Sequence, residues 1–206
     1  MTTQENNIPR EALRAVGTGL LLMSVFTMIW SSIANGGYQG KDRHLFLYFC
    51  IIIVLVFIVN SIKLFRLSSA LPLSSSEQQN QEKKRSGKWF AIIFGLEGIS
   101  IPIAINIAIY MHHPELSIPL MALVVGLHFY PLAWVFRRKI DYFLATWSCI
   151  IAISAIYFSL HQTFSQGNIL AMVGTGLALA TIAYGIYMIY KGRKMAIKAL
   201  HQQSAI

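Results

Sequence analysis

The sequence predicts an all-α membrane protein, a bundle of six transmembrane helices with both termini in the cytoplasm. Of its 206 residues, 55% are hydrophobic and only 12% are charged, about half the charged fraction of a typical soluble domain, roughly 25%. The apolar residues form long blocks, whereas the strands of a membrane barrel alternate in short segments. We therefore expect residues 1–206 to form a single integral membrane domain.

Six blocks reach the length of about 20 mostly apolar residues that a membrane-spanning helix requires. They cover residues 12–33, 44–65, 89–110, 118–136, 142–160 and 169–190. The connection over residues 66–88 is rich in Ser, Gln and charge, which is typical of a flexible cytoplasmic loop. As an alternative, the first block is a cleaved signal peptide, but its apolar core exceeds the ~15 residues usual for such peptides.

The cations are divided very unevenly between the two sides of the predicted bundle. Of the 17 Lys and Arg residues, only Lys41 and Arg43 fall on one side, and the others fall on the side of the two termini. Because Lys and Arg concentrate in cytoplasmic loops, both termini are predicted to be cytoplasmic. The net charge of +9 is therefore explained by the orientation of the protein in the membrane. We expect the lipid bilayer as a partner and expect no binding to nucleic acid.

Two ionisable residues interrupt the apolar spans, Glu97 in FGLEGISIPIAIN and His128 in GLHFYPLAW. Glu97 lies nine residues after Lys88, and His128 lies nine residues before Arg137. At about 1.5 Å per residue, both therefore lie roughly 13 Å from the cytoplasmic boundary. The third and fourth helices should form an antiparallel hairpin, so we expect the two side chains to lie level and to be able to meet.

A proline follows each ionisable residue and is expected to break its helix. Pro102 leaves the carbonyl of Gly98 without its helical donor, and Pro131 does the same for Leu127. Such groups are costly in hydrocarbon unless they are paired inside the protein. The two helices therefore predict a buried site for a substrate or ion.

Three further polar residues are candidates for the same site. Ser100 lies one turn after Glu97 and shares its helix face. Asn60 and Tyr184 lie in the cytoplasmic halves of the second and sixth spans.

Sequence motifs for catalysis or metal binding are absent. Glu97 and His128 supply two metal ligands without an evident third, and His112, His113 and Glu115 are typical of a solvated loop. The sequence contains no HExxH, GxSxG or CxxC. We therefore assign no catalytic residue, metal or cofactor, and favour a protein that is not an enzyme.

Tryptophan and glycine positions bear on how the helices sit in the membrane. Trp30, Trp89 and Trp134 fall at predicted span ends, where indole rings anchor helices at the interface. The string VGTGL occurs at residues 16–20 and 173–177. We interpret its glycines as sites of close helix packing.

The stretch GLHFYPLAWVF, residues 126–136, resembles the pattern G-x-H-F-x-P-L-A-x-x-F of uncharacterised small multi-pass proteins of bacterial inner membranes. The resemblance covers one helix. It implies location in the inner (cytoplasmic) membrane and carries no activity to transfer.

Three functions fit these features. In the leading hypothesis the protein transports a small solute or ion, and Glu97 and His128 are its ionisable elements. The second hypothesis is an enzyme that acts on a lipid-soluble substrate within the bilayer. The third is an interaction or immunity protein in which the polar pair is structural. An aqueous path to Glu97 would favour the first, a groove open to lipid the second, and a sealed bundle the third.

Overall fold

Every regular element in the described part of the chain is helical. The computed structural model describes residues 10–71 and 77–203. The helices are α1 (Arg10–Tyr38), α2 (Leu45–Ser69), α3 (Glu77–Tyr110), α4 (Ser117–Phe136), α5 (Lys139–Leu160) and α6 (Gln166–Gln203). A short 3-10 helix, Pro114–Leu116, precedes α4. All six α-helices contain a stretch long and apolar enough to cross a membrane, which confirms the predicted class.

The helices extend beyond the predicted spans, mainly at the end that carries most of the cations. α2 continues to Ser69 and α3 begins at Glu77, so both ends of the predicted flexible loop, residues 66–88, are helical. Residues 72–76 of that loop lie outside the described residues. α6 likewise continues past residue 190 to Gln203. The added segments are rich in Gln, Glu, Lys and Arg, which are good helix formers, so the helices continue where the apolar pattern ends.

The bundle is organised around α6, the most buried of the six spans. α1 packs along α6 over the most extensive helix contact, and α2 packs on α1. α4 packs on α5, and α5 packs on α6. α3 contacts mainly α4, so it stands at the edge of the bundle.

Small residues determine the close approach of α1 and α6. A Cβ atom added at Gly37 would collide with the backbone of Ala171, and one added at Gly174 would collide with the backbone of Ala34. Gly174 belongs to the second VGTGL string, so its packing role agrees with the interpretation from sequence. In a membrane such close contact is a main source of helix association.

Hydrogen bonds between helices reinforce this packing at several points. The hydroxyls of Thr27 and Thr181 lie 2.8 Å apart and join α1 to α6. The Ser61 hydroxyl donates to the carbonyl of Gly17 at 2.8 Å, joining α2 to α1. The Trp147 indole donates to the carbonyl of Gly176 at 2.9 Å, joining α5 to α6.

The three tryptophans predicted as interface anchors do not all behave alike. Trp30 is only 2% exposed, because α1 continues to Tyr38 and this part of it packs against other helices. Trp89 and Trp134 are 41% and 67% exposed. Their rings lie edge to face with centroids 6.5 Å apart, at the end of the α3–α4 hairpin where α3 enters the bundle and α4 ends.

Candidate functional site

Glu97 and His128 meet at the contact between α3 and α4. The Oε1 atom of Glu97 lies 3.4 Å from the Nδ1 atom of His128, and the residues are 7% and 8% exposed. The separation is that of an ion pair, but its alignment falls short of a hydrogen bond. The structure thus brings together the two residues whose matched depth was predicted from the sequence.

Aromatic rings enclose the histidine. The Phe94 ring lies edge-on to His128, with centroids 5.6 Å apart, and the Phe129 ring lies at 4.2 Å. Phe94 also stacks on Phe26 of α1 at 6.5 Å. This contact bridges the gap between α1 and α3 at the depth of the pair. Such an apolar shell strengthens any electrostatic interaction between Glu97 and His128, because it lowers the local dielectric constant.

The two prolines do not break their helices as expected. α3 is helical through Pro102 and α4 is helical through Pro131, as membrane helices often are when nearby groups satisfy the backbone. Both rings are exposed on the outer surface of the hairpin. The Asn106 side chain donates to the carbonyl of Pro102 at 2.8 Å, so this polar residue forms a hydrogen bond within its own helix.

The other predicted site residues lie in different places. Ser100 lines the same outer groove of α3 and α4 as Glu97 and His128. Tyr184 lies on the opposite side of His128, in a groove described below. Asn60 donates to the carbonyl of Val56 at 2.8 Å, on a helix that packs against α1 and α6. The structure therefore groups Ser100 and Tyr184 around His128 and leaves Asn60 apart.

A large groove lies between α1 and α3, with a volume of about 780 Å³. We call it the α1/α3 groove. Because α3 packs mainly on α4, no described helix fills this space, and the groove opens sideways where lipid would lie. Its lining is mainly apolar and includes Leu22, Val25, Phe90, Phe94 and Leu132, while His128 lines its wall.

A polar cluster that sequence reasoning missed stands at one end of this groove. An Arg138 guanidinium nitrogen donates to the Tyr184 hydroxyl at 2.9 Å, and the guanidinium carbon lies 4.8 Å from the Phe136 ring centroid. Asp141 is 1% exposed and interacts with the Tyr184 hydroxyl and with the cations of Arg138 and Lys191. Neither Asp141 carboxylate oxygen accepts a well-aligned hydrogen bond from the described residues.

The position of Asp141 in the sequence could have indicated this cluster. It is the only acidic residue in the run RRKIDY, next to three cations that were interpreted solely as markers of orientation. The predicted fifth span begins at residue 142 and therefore leaves Asp141 outside it. The helix begins at Lys139, and its first turn carries Asp141 into the protein.

Two further spaces border the pair. An outer groove between α3 and α4, about 440 Å³ in volume, is lined by Glu97 and His128 at its base, and the rest of its lining is largely apolar. An enclosed cavity behind His128, lined also by Ser148 and Thr181, has a volume of only about 10 Å³. One water molecule needs ~10–15 Å³ of such volume, so this cavity is no aqueous path.

The six helices are those of a multi-pass membrane protein. No protein family, curated protein or solved structure matches the chain in sequence or fold comparison. Within residues 10–71 and 77–203, no cluster of three or more His, Cys, Asp and Glu side chains could hold a metal ion. The candidate site is thus defined by its geometry: a buried Glu–His pair between two grooves that open to the sides of the bundle.

Proposed function

We propose that the protein is a membrane carrier that takes an amphiphilic, lipid-soluble molecule sideways from the bilayer into the α1/α3 groove. The observation that carries the proposal is the lining of this groove, which is apolar along its length and polar at Arg138, Asp141 and Tyr184. Its volume of about 780 Å³ falls within the range of small-molecule sites, about 300–1,000 Å³.

The polar end of the groove indicates the kind of head group the ligand carries. Arg138 offers guanidinium donors, and the Tyr184 hydroxyl and the buried Asp141 carboxylate lie beside it at this end of the groove. A buried polar group is costly unless it is paired. The best ligand is therefore an apolar body with a small head group that both donates and accepts hydrogen bonds.

The proposed amphiphilic ligand differs from the small solute or ion of the leading hypothesis drawn from the sequence. A small hydrophilic solute or ion would need a polar passage, whereas the spaces around Glu97 and His128 are apolar grooves and a cavity of about 10 Å³. Ionisable residues inside a membrane commonly mark a transport pathway. His128 lines the α1/α3 groove and Glu97 contacts it from the outer groove, so this pair would respond to a ligand there.

Filling the groove tests the proposal. We expect Ala15→Trp, which places an indole in the α1/α3 groove, to abolish retention of an amphiphile that co-purifies with the wild-type protein. Val59→Trp is the matched control, because Val59 is 49% exposed on α2, away from the groove. Native mass spectrometry of the protein released from nanodiscs measures retention. Equal retention by both variants would remove the groove as the binding site.

An intramembrane enzyme is the second candidate, favoured by the Glu97–His128 contact of 3.4 Å. A carboxylate beside an imidazole is a common acid–base arrangement. The His128→Ala variant separates the two functions. A carrier should retain the same molecule in variant and wild type, whereas an enzyme should accumulate uncleaved or unmodified substrate in the variant only.

The orientation of the bundle is part of the proposal, because it places the polar end of the groove at the cytoplasmic face. We expect His112→Cys to react with a membrane-impermeant maleimide in intact cells, and Lys194→Cys to react only after permeabilisation. Both native cysteines are buried, so their background labelling should be low. The reverse labelling pattern would show that the bundle has the opposite orientation in the membrane.

A further inference from the structure

A basic hollow lies at the same end of the bundle, on the far side of α4 from Asp141. It has a volume of about 590 Å³, and its lining includes Arg85, Arg137, Lys139, Trp89, Trp134 and Tyr142. Three of these residues are cations, and none of the described lining residues is acidic. The hollow is therefore positively charged and bordered by three aromatic side chains, those of Trp89, Trp134 and Tyr142.

The backbone between α4 and α5 explains why adjacent arginines serve different sites. Arg137 caps α4 in the left-handed conformation, with φ 51°, and Arg138 is extended. Arg137 is exposed and lines the basic hollow, whereas Arg138 is half-buried and bonds Tyr184. This sharp turn directs one cation to each side of the helix pair, and Lys139 joins Arg137 in the hollow.

The basic hollow continues into the outer groove of α3 and α4. The two spaces share Trp89, Trp134 and Val135. Beyond them the groove is lined by Leu96 and Leu127, which are 60% and 51% exposed. A charged recess thus leads directly onto an apolar channel that faces the membrane.

We propose that an anionic phospholipid of the cytoplasmic leaflet binds here, with its phosphate in the basic hollow and one acyl chain along the outer groove. Arginine suits phosphate because its planar fork can donate two parallel hydrogen bonds. Basic recesses between transmembrane helices on the cytoplasmic side are suited to anionic head groups. The acyl chain covers the Glu97–His128 contact from the membrane side. This site is separate from the α1/α3 groove; it rests on the proposed orientation of the bundle but not on the carrier function.

Tryptophan fluorescence provides the test, because Trp89 and Trp134 line both parts of the site. The full-length protein is reconstituted in vesicles with acyl-brominated phosphatidylglycerol or acyl-brominated phosphatidylcholine at equal mole fraction. We expect stronger quenching by the anionic lipid. The difference should disappear in a Trp89→Phe/Trp134→Phe variant, and a difference that survives there would place the lipid elsewhere.

Charge variants test whether the preference for phosphatidylglycerol over phosphatidylcholine depends on the basic hollow. We expect Arg85→Gln/Arg137→Gln/Lys139→Gln to lose the preference, by about fivefold for each cation removed. The control Arg193→Gln/Lys194→Gln/Lys198→Gln removes the same charge from exposed positions of α6 and should retain it. Equal losses in the two triple variants would reduce the effect to general surface attraction and overturn the site.

A milder pair of variants keeps the test valid if a triple variant does not fold. Arg137→Gln is compared with Arg193→Gln, since Gln39 and Gln162 already adopt the same left-handed conformation, with φ 53° and 50°. The preference should fall only in Arg137→Gln. Inorganic phosphate, added on the cytoplasmic side, should not compete, and full competition would show a site for a soluble anion instead of a lipid.

Discussion

At the scale of single residues, the central feature is a carboxyl and an imidazole 3.4 Å apart in an apolar shell. Their matched depth could be predicted because depth in a helix follows from the rise per residue and the flanking cations. The direction each side chain faces could not be predicted in the same way. Asp141 illustrates this limit, since its burial depends on one turn of α5 that precedes the apolar run.

A double-mutant cycle tests whether Glu97 and His128 act as one unit. We compare Glu97→Gln, His128→Ala and the double variant by thermal unfolding in lipid nanodiscs. Residues in contact are non-additive, so the double variant should lose less stability than the sum of the single losses. The expected coupling is about 0.6 kcal/mol, the average for polar contacts inside membranes. Strict additivity would mean that the two residues do not interact.

At the scale of helices, the α1–α6 contact holds the bundle together, and α3 is attached mainly through α4. Repeated glycines indicated close packing, but a sequence does not say which glycines meet a neighbouring backbone. Gly37 does so, whereas a Cβ atom at the adjacent Gly36 would meet nothing within 4 Å. This difference depends on the rotation of α1 against α6, which no local pattern contains.

The two adjacent glycines give a matched test of the helix contact. We expect Gly37→Ala to destabilise the protein by about 2 kcal/mol, within the 1–3 kcal/mol typical of overpacking. Gly36→Ala should be neutral or slightly stabilising, because alanine favours helix over glycine by up to about 1 kcal/mol. Thermal unfolding in one lipid composition measures both. Similar losses in the two variants would show that α1 and α6 do not meet at Gly37.

At the scale of the whole molecule, six helices leave the edge of the bundle open between α1 and α3. The number of spans followed from the lengths of the apolar blocks and the alternation of the cations. The α1/α3 groove could not be predicted from these features, because it depends on which helices become neighbours. This order of packing is why the proposed route to the Glu97–His128 pair runs through the side of the bundle rather than its ends.

A spin label at Phe94, whose ring contacts His128, tests lateral entry from the bilayer most directly. In a Cys50→Ala/Cys149→Ala background, a nitroxide at Phe94→Cys is compared with labels at the lipid-facing Ile52 and the loop residue His112. Electron paramagnetic resonance measures collisions with oxygen, which concentrates in lipid, and with a water-soluble nickel complex. We expect the label at Phe94 to match Ile52, with oxygen collisions dominant. Nickel collisions like those at His112 would reveal an aqueous path to the pair and contradict lateral entry from the bilayer.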